Sequence, residues 1–149
     1  MQIISLDIHA LPTLPPLALT IGNYDGVHLG HQALLSALID DAKRMSLASA
    51  VMVFEPQPRE FFSPQNPPPR LTSLPEKAAQ IAKLGIDYLL VASFDEAFRS
   101  LSAQDFAQVL KNLNVQHLVL GDDFRFGHDR KGDQAFLLQA GFRVDNLHS

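Results

Sequence analysis

Two histidines three residues apart, His28 and His31, lie in the segment Gly22-Asn23-Tyr24-Asp25-Gly26-Val27-His28-Leu29-Gly30-His31. A short apolar run precedes this segment and an amphipathic one follows it. In the first turn of a helix, residues at this spacing project from the same side. The unpaired N–H groups and partial positive charge there form an anion site suited to phosphate. Two imidazoles added to it can donate hydrogen bonds to phosphate oxygens and stabilise charge developing at phosphorus. Gly22, Gly26 and Gly30 let the backbone approach a ligand closely. Two other readings of the same residues stay open at this point. Asp25, His28 and His31 have metal-ligand chemistry at helical spacing, which would suit a metal-dependent hydrolase, and a histidine at a helix start can also be a plain cap or a packed side chain.

A second loop reads Phe54-Glu55-Pro56-Gln57-Pro58-Arg59-Glu60-Phe61-Phe62. Rigid prolines beside several Phe side chains can wall a site for a planar ring, whereas the alternative use of Phe54 is simply to fill core. A third loop, Gly121-Asp122-Asp123-Phe124-Arg125-Phe126-Gly127, crowds acidic, basic and aromatic groups between glycines. Asp123 can accept hydrogen bonds from a ligand, Arg125 can pair with phosphate and Phe126 can stack on a ring. His9, His117 and His148 stand alone and read as structural or solvated.

The elements that must hold these loops follow from periodicity. Short apolar runs at Leu17 to Ile21, Ala50 to Phe54, Tyr88 to Ala92 and Leu118 to Leu120 predict strands buried on both faces, as in a parallel sheet. Leu34, Leu35, Leu38, Ile39, Ala42 and Met45 recur at helical spacing. A second helix opens with Ser73-Leu74-Pro75-Glu76, a capping-box pattern, and stops near Gly85. A third opens at Ser102, and a fourth covers Gln134 to Ala140 and ends at Gly141. Strands alternating with helices imply right-handed βαβ units, an α/β domain with a parallel sheet covered by helices. Ligands bind at the carboxyl ends of the strands in such folds, where all three loops fall. The segment from Glu55 to Arg70 holds six of the ten prolines and is too long for a plain connection, so it reads as a lid or a tether.

Composition bounds the rest. A chain of 149 residues with 46% apolar residues suits one domain with its own core. It has no Cys, which excludes disulfides, a thiolate zinc site and a thiol nucleophile. A net charge of -4 argues against a general nucleic-acid partner. No apolar stretch approaches the roughly 20 residues of a membrane span, and the N-terminus does not read as a secretory signal, so a cytoplasmic location is expected.

Taken in order, GNYDGVHLGH, FEPQPREFF, RLTSLPEK and GDDFRFG resemble the FMN adenylyltransferase module of the bacterial bifunctional riboflavin kinases/FAD synthetases, from about Ala18 to Val144. The resemblance implies the Rossmann-like nucleotidyltransferase fold with its HxGH motif, residues 1–149 being an FMN adenylyltransferase domain that is C-terminally truncated. It implies transfer of AMP from ATP to FMN, giving FAD and pyrophosphate, with Mg2+. By the same resemblance His28 and His31 are the catalytic pair, and Gly22, Asn23, Asp25 and Gly30, with Arg125, bind ATP. Phe54, Pro56, Pro58, Phe62, Asp123 and Phe126 line the FMN site. ATP and FMN are then the partners, with no nucleic acid and no membrane, and a riboflavin kinase domain is expected on the C-terminal side. Gln57 stands where the family usually has His, and Asp123 where it often has Asn. The Ser-Thr-x-x-Arg motif of the family is expected beyond Ser149. A flavin- or nucleotide-binding module without catalysis is the alternative function.

Overall fold

The computed structural model describes residues 1–24, 29–65, 73–122 and 124–147. Six strands form one sheet: β1 (Gln2–Leu6), β2 (Leu17–Ile21), β3 (Ala48–Phe54), β4 (Tyr88–Ala92), β5 (Val115–Gly121) and β6 (Arg143–Leu147). Their order is β1-β4-β3-β2-β5-β6, and every neighbouring pair is parallel. Among the described residues six α-helices pack around them: α1 (Leu29–Met45), α2 (Pro58–Phe62), α3 (Leu74–Lys83), α4 (Glu96–Arg99), α5 (Ala103–Asn112) and α6 (Gln134–Gln139).

Side-chain alternation along the strands divides the core in two. Leu17, Leu19 and Ile21 point to the face covered by Phe106, Ala107 and Leu110 of α5 and Leu137 of α6. Ala18, Val51, Val53, Leu89 and Val91 point to the other face, against Leu35 and Leu38 of α1 and Ala78 and Ile81 of α3. All five residues of β2 are buried, which is why that strand reads as an unbroken apolar run rather than an alternating one. Each leucine so removed from water contributes about 1.5–3 kcal/mol before entropy is counted.

The chain leaves β2 through α1 and steps outward to β3, then through α3 to β4. It then returns through α4 and α5, on the opposite face, to β5 on the far side of β2. The direction of winding thus reverses between β2 and β5. In a doubly wound sheet the crevice at that reversal is where ligands bind, and the first and third loops leave from its two walls.

Local signals account for the helix ends. Ser73 caps α3 by accepting from the Glu76 N–H at 3.3 Å, while Glu76 accepts from the Ser73 N–H, also at 3.3 Å. Ser102 caps α5, Asp95 caps α4 and Asp133 caps α6. Gly85 and Gly141 take φ of 94° and 103° after α3 and α6, conformations that favour glycine.

The structure extends and corrects the sequence reading: β3 starts earlier, at Ala48, β5 runs from Val115 to Gly121, and a short helix, α4, precedes α5. Helix α1 begins at Leu29, inside the motif, which puts His31 in its first turn as the sequence reading expects. The proline-rich loop contains a short helix, α2, because Pro58 suits a first helical position; residues 66–72 of that loop lie outside the described ones. Strands β1 and β6 were not anticipated, and both are sheet edges with mostly exposed or half-buried positions.

Candidate functional site

The first loop starts where β2 ends. The Gly22 N–H donates to Met52 O at 3.1 Å, carrying the β2–β3 ladder one residue further. The chain then turns at Tyr24, whose φ is 51° and whose side chain is buried. The Tyr24 hydroxyl lies 2.6 Å from Thr20 Oγ1, and burial pushes its phenol above the ordinary range while the Thr20 hydrogen bond pulls it the other way. A Cβ at Gly22 would lie 3.0 Å from Tyr24 Cε2, so glycine is what lets this ring lie over the strand end. His31, half-buried in the first turn of α1, meets the Tyr24 ring edge-to-face with centroids 4.9 Å apart. Asn23 has its side-chain oxygen buried with no hydrogen-bond partner among the described residues. Asp25 and His28 lie outside the described residues, as does Asp123 of the third loop.

The second loop leaves β3, the strand next to β2. Phe54 is half-buried and packs edge-on against Phe98 at 5.4 Å and Phe94 at 5.8 Å. After the cis Glu55–Pro56 bond, Gln57 is wholly buried and its N–H donates to Glu60 Oε1 at 2.8 Å. Pro56 is exposed and Pro58 half-buried. Phe61 and Phe62 of α2 then meet Phe94 at 5.4 and 6.0 Å. Phe62 stays 60% exposed, with the Arg99 guanidinium 5.8 Å from its ring centre. Phe94 belongs to this wall although sequence reasoning missed it; the available signal was an aromatic two residues past the end of a buried strand.

The third loop leaves β5, on the other side of β2. Phe126 is buried, stacked on Phe124 at 5.7 Å and set edge-on to Phe106 at 5.1 Å and Phe136 at 6.0 Å. It also exchanges two backbone hydrogen bonds with Gly132, of 3.2 and 2.9 Å. Arg125 is half-exposed, 3.6 Å from Asp133. The start of the loop is held by Gln134, which donates to Gly121 O at 2.7 Å and to Asn146 Oδ1 at 3.1 Å.

These contacts join two of the three loops through one aromatic chain. It runs from Phe62 and Phe61 through Phe94, Phe54, Phe98 and Phe106 to Phe126, along the α5 face of the sheet. Tyr24 belongs to the core on the α1 face. An aromatic wall on one side of the strand ends and an imidazole at a helix start on the other can hold a planar ring and a phosphate chain at once. A further buried polar group, Lys77, lies in the first turn of α3, wholly inside the protein. A basic residue beside Ala78 on a helix otherwise apolar toward the core was its signal in the sequence.

Among the described residues, the His and carboxylate side chains that converge closely enough to hold a metal are Asp41, His117 and Asp145, at the amino-terminal end of the sheet and away from the three loops. His117 Nε2 lies 2.8 Å from Asp41 Oδ2 and 3.5 Å from Asp145 Oδ2, and Arg44 reaches Asp41 at 2.9 Å. Burial raises the Asp41 carboxyl, but hydrogen bonds from Asp145, Arg44 and His117 outweigh it and hold the group at about 2. Asp145 is raised, first by its hydrogen bond with Asp41 and then by burial. His117 is buried, but it does not stand alone as its sequence context suggests, since Asp41 and Asp145 flank it. The hollow of about 640 Å³ between Arg44, Lys111 and Arg143 also lies at this far edge. No helix among the described residues is long and apolar enough to cross a membrane.

Comparison with known proteins identifies the family. A family model for FAD synthetase matches residues 12–148. The chain is 47% identical over 138 residues to the bifunctional riboflavin kinase/FMN adenylyltransferase of Escherichia coli K12, covering 90% of this chain and 44% of that protein. It is 50% identical over 124 residues to the Pseudomonas fluorescens protein of the same name, covering 82% and 40%. With the Haemophilus influenzae one it shares 43% over 155 residues, covering 100% and 50%. The chain therefore spans about half the length of these relatives or less. A crystal structure from Streptococcus pneumoniae, described as a macrolide-efflux protein, superimposes with a TM-score of 0.86 at 26% identity, over 99% of this chain and 52% of that one. The sheet is the nucleotidyltransferase-like, Rossmann-type α/β fold, and by the extent of the family match the chain belongs to the FAD synthetase family.

Proposed function

We propose that this chain is an FMN adenylyltransferase domain acting in the cytoplasm: a phosphate oxygen of FMN attacks the α-phosphorus of ATP, the bond from that phosphorus to the bridging oxygen breaks, and FAD and pyrophosphate leave. The observation that supports the proposal is that Gly22 to Tyr24 and His31 lie at the reversal between β2 and β5, with an aromatic chain running from the second loop to the third. The names of the relatives point the same way, and they also imply a riboflavin kinase portion beyond this domain in the complete polypeptide.

The chemistry needs few devices. The attacking phosphate oxygen is already anionic, so positioning and charge neutralisation supply most of the acceleration and no dedicated base is required. His28 and His31 donate to the phosphates and offset the charge that builds on them, while Gly22, Asn23, Asp25, Gly30 and Arg125 cradle ATP. The buried, unpartnered Asn23 oxygen suits an acceptor awaiting a donor such as the adenosine portion offers. The flavin lies against Phe54, Pro56, Pro58, Phe62 and Phe126, with Asp123 beside it, and exposed Phe62 is the ring best able to take a stacking partner. Magnesium suits this site as the counter-ion of the triphosphate: it prefers oxygen ligands, keeps several waters and needs only one or two carboxylates. Exposed Asp122, at the end of β5, is of that kind.

The test uses the complete polypeptide with ATP, magnesium chloride and FMN, following FAD by chromatography and pyrophosphate by a coupled assay. Equimolar FAD and pyrophosphate are expected. Flavin binding without either product would overturn the proposal in favour of a binding module.

A further inference from the structure

Among the groups at the carboxyl ends of the strands, Tyr24 carries no role in the reaction as described, yet it is held more tightly than a surface turn requires. Its φ of 51° places a bulky residue in a backbone region that such side chains rarely adopt. Strain of this kind persists only where the surroundings over-determine it. Three contacts do so here. The ring is only 4% exposed and packs into the same core as Leu35 and Leu38 of α1. The hydroxyl lies 2.6 Å from Thr20 Oγ1, on a strand residue that is itself wholly buried. Gly22 leaves the room the ring needs, since a Cβ there would come within 3.0 Å of it.

The free side of this anchored ring meets His31, with centroids 4.9 Å apart and planes at 64°. An edge-to-face contact at that distance favours one setting of the imidazole plane over its rotated alternatives. A group that must meet a phosphate has to be held within about 0.5 Å and 10–20° of its productive geometry. The rigid sheet thus sets the direction of the imidazole through Thr20 and Tyr24, independently of where the nucleotide sits.

We propose that Tyr24, braced by Thr20, is a positioning residue that fixes the imidazole plane of His31 for phosphate contact. This rests on the adenylyltransferase reading for its kinetic part but not for its geometric part, so the test reads both.

In the complete polypeptide, Tyr24→Leu removes the ring, and Tyr24→Phe keeps it while removing the bond to Thr20. Turnover is expected to fall about 10- to 100-fold in Tyr24→Leu, with KM for FMN within about twofold, and less than about threefold in Tyr24→Phe. Thr20→Val breaks the same bond from its other end, so its effect and that of Tyr24→Phe should not add in the double variant. The second readout needs no activity. With ring-labelled histidine, the His31 resonance, assigned through His31→Gln, should move in Tyr24→Leu and by less, in the same direction, in Tyr24→Phe and Thr20→Val. Turnover in Tyr24→Leu within threefold of wild type, or an unmoved His31 resonance, overturns the proposal. If Tyr24→Leu does not fold, Thr20→Val carries the test: a small loss of turnover with a displaced His31 resonance supports the brace, and an unchanged resonance refutes it. Wild-type protein that makes no FAD defeats the adenylyltransferase reading alone, and the His31 resonances then decide the geometric claim.

Discussion

Replacing Gly132 by alanine should loosen the third loop and lower stability by an amount that follows from the distances around Phe126. A Cβ at position 132 would lie 2.4, 2.5 and 2.6 Å from Phe126 Cε2, Cζ and Cδ2. Ordinary contact begins near 3.4 Å, so the ring must retreat by about 1 Å. It has nowhere to go, because Phe126 is only 6% exposed and flanked by Phe106 at 5.1 Å, Phe124 at 5.7 Å and Phe136 at 6.0 Å. Either the aromatic contacts give way or the two hydrogen bonds between Phe126 and Gly132 open. Overpacking of this kind costs about 1–3 kcal/mol. For a domain of this size that corresponds to a fall in Tm of about 3–10 °C by circular dichroism. Gly141→Ala is the control, because nothing lies within 4 Å of its Cβ and only the φ of 103° opposes it. Trimming the obstructing ring in Gly132→Ala/Phe126→Leu should lose less than the sum of the single changes, since the two residues share one contact. Because the loop contributes to the proposed flavin site, KM for FMN should rise in Gly132→Ala while turnover at saturation changes little. A Tm within 1 °C of wild type, or strict additivity in the double variant, would refute the packing argument.

Three further outcomes follow, two from the site and one from the far edge of the sheet. His31→Ala should lower turnover about 10²- to 10³-fold while KM for FMN changes little, measured by steady-state kinetics, since its proposed work is on charge at phosphorus. Phe62→Ala should leave Tm within about 1 °C, as the side chain is 60% exposed. Flavin titration by fluorescence quenching should nonetheless show affinity weakened about 2- to 12-fold, the value of one aromatic contact. At the far edge of the sheet the pH response has two opposite parts. Asp41, held at about 2 when folded, contributes stability that is full above its unfolded value of 3.8 and lost as pH falls toward 2. Asp145, raised when folded, contributes stability present below 3.8 and lost as pH rises through its folded value. Asp145→Asn should therefore raise Tm at neutral pH, because its amide can donate to Asp41 with no second charge, and should remove the Asp145 part of the profile in thermal melts from pH 2 to 8.

The central elements were legible because burial and periodicity coincide in them. Leu17 to Ile21 and Tyr88 to Ala92 are strands with the predicted bounds, and the caps Ser73 and Ser102 begin α3 and α5 where their side chains imply. The edges were not legible for the converse reason: Arg143-Val144-Asp145-Asn146-Leu147 pairs on one side only and presents mostly polar side chains, so nothing in its pattern marks a strand. Helix α2 was hidden by its prolines, which mark a turn as readily as a first helical position. In the site, the three loops were recognisable from residue type and order, and all three leave adjoining strands. What sequence could not give was the allocation of aromatics. Phe126 is built into the core while Phe62 faces solvent, and Phe94 completes a wall that no contiguous motif contains. Burial of this kind is decided by packing across the sheet, which spacing along the chain does not encode.

Helix α1 is fastened at its foot as well as its head. Asp41 and Arg44 lie in its last turns, and Asp41 grips His117 of β5, with Asp145 of β6 beside them. A rod bolted to two strands at one end resists sliding along the sheet if nucleotide binds at the other, as proposed. Its remaining freedom is to tilt about the bolt, so any stroke of the His31 end is a short arc, and loosening the bolt would lengthen that arc without touching a single group that meets substrate.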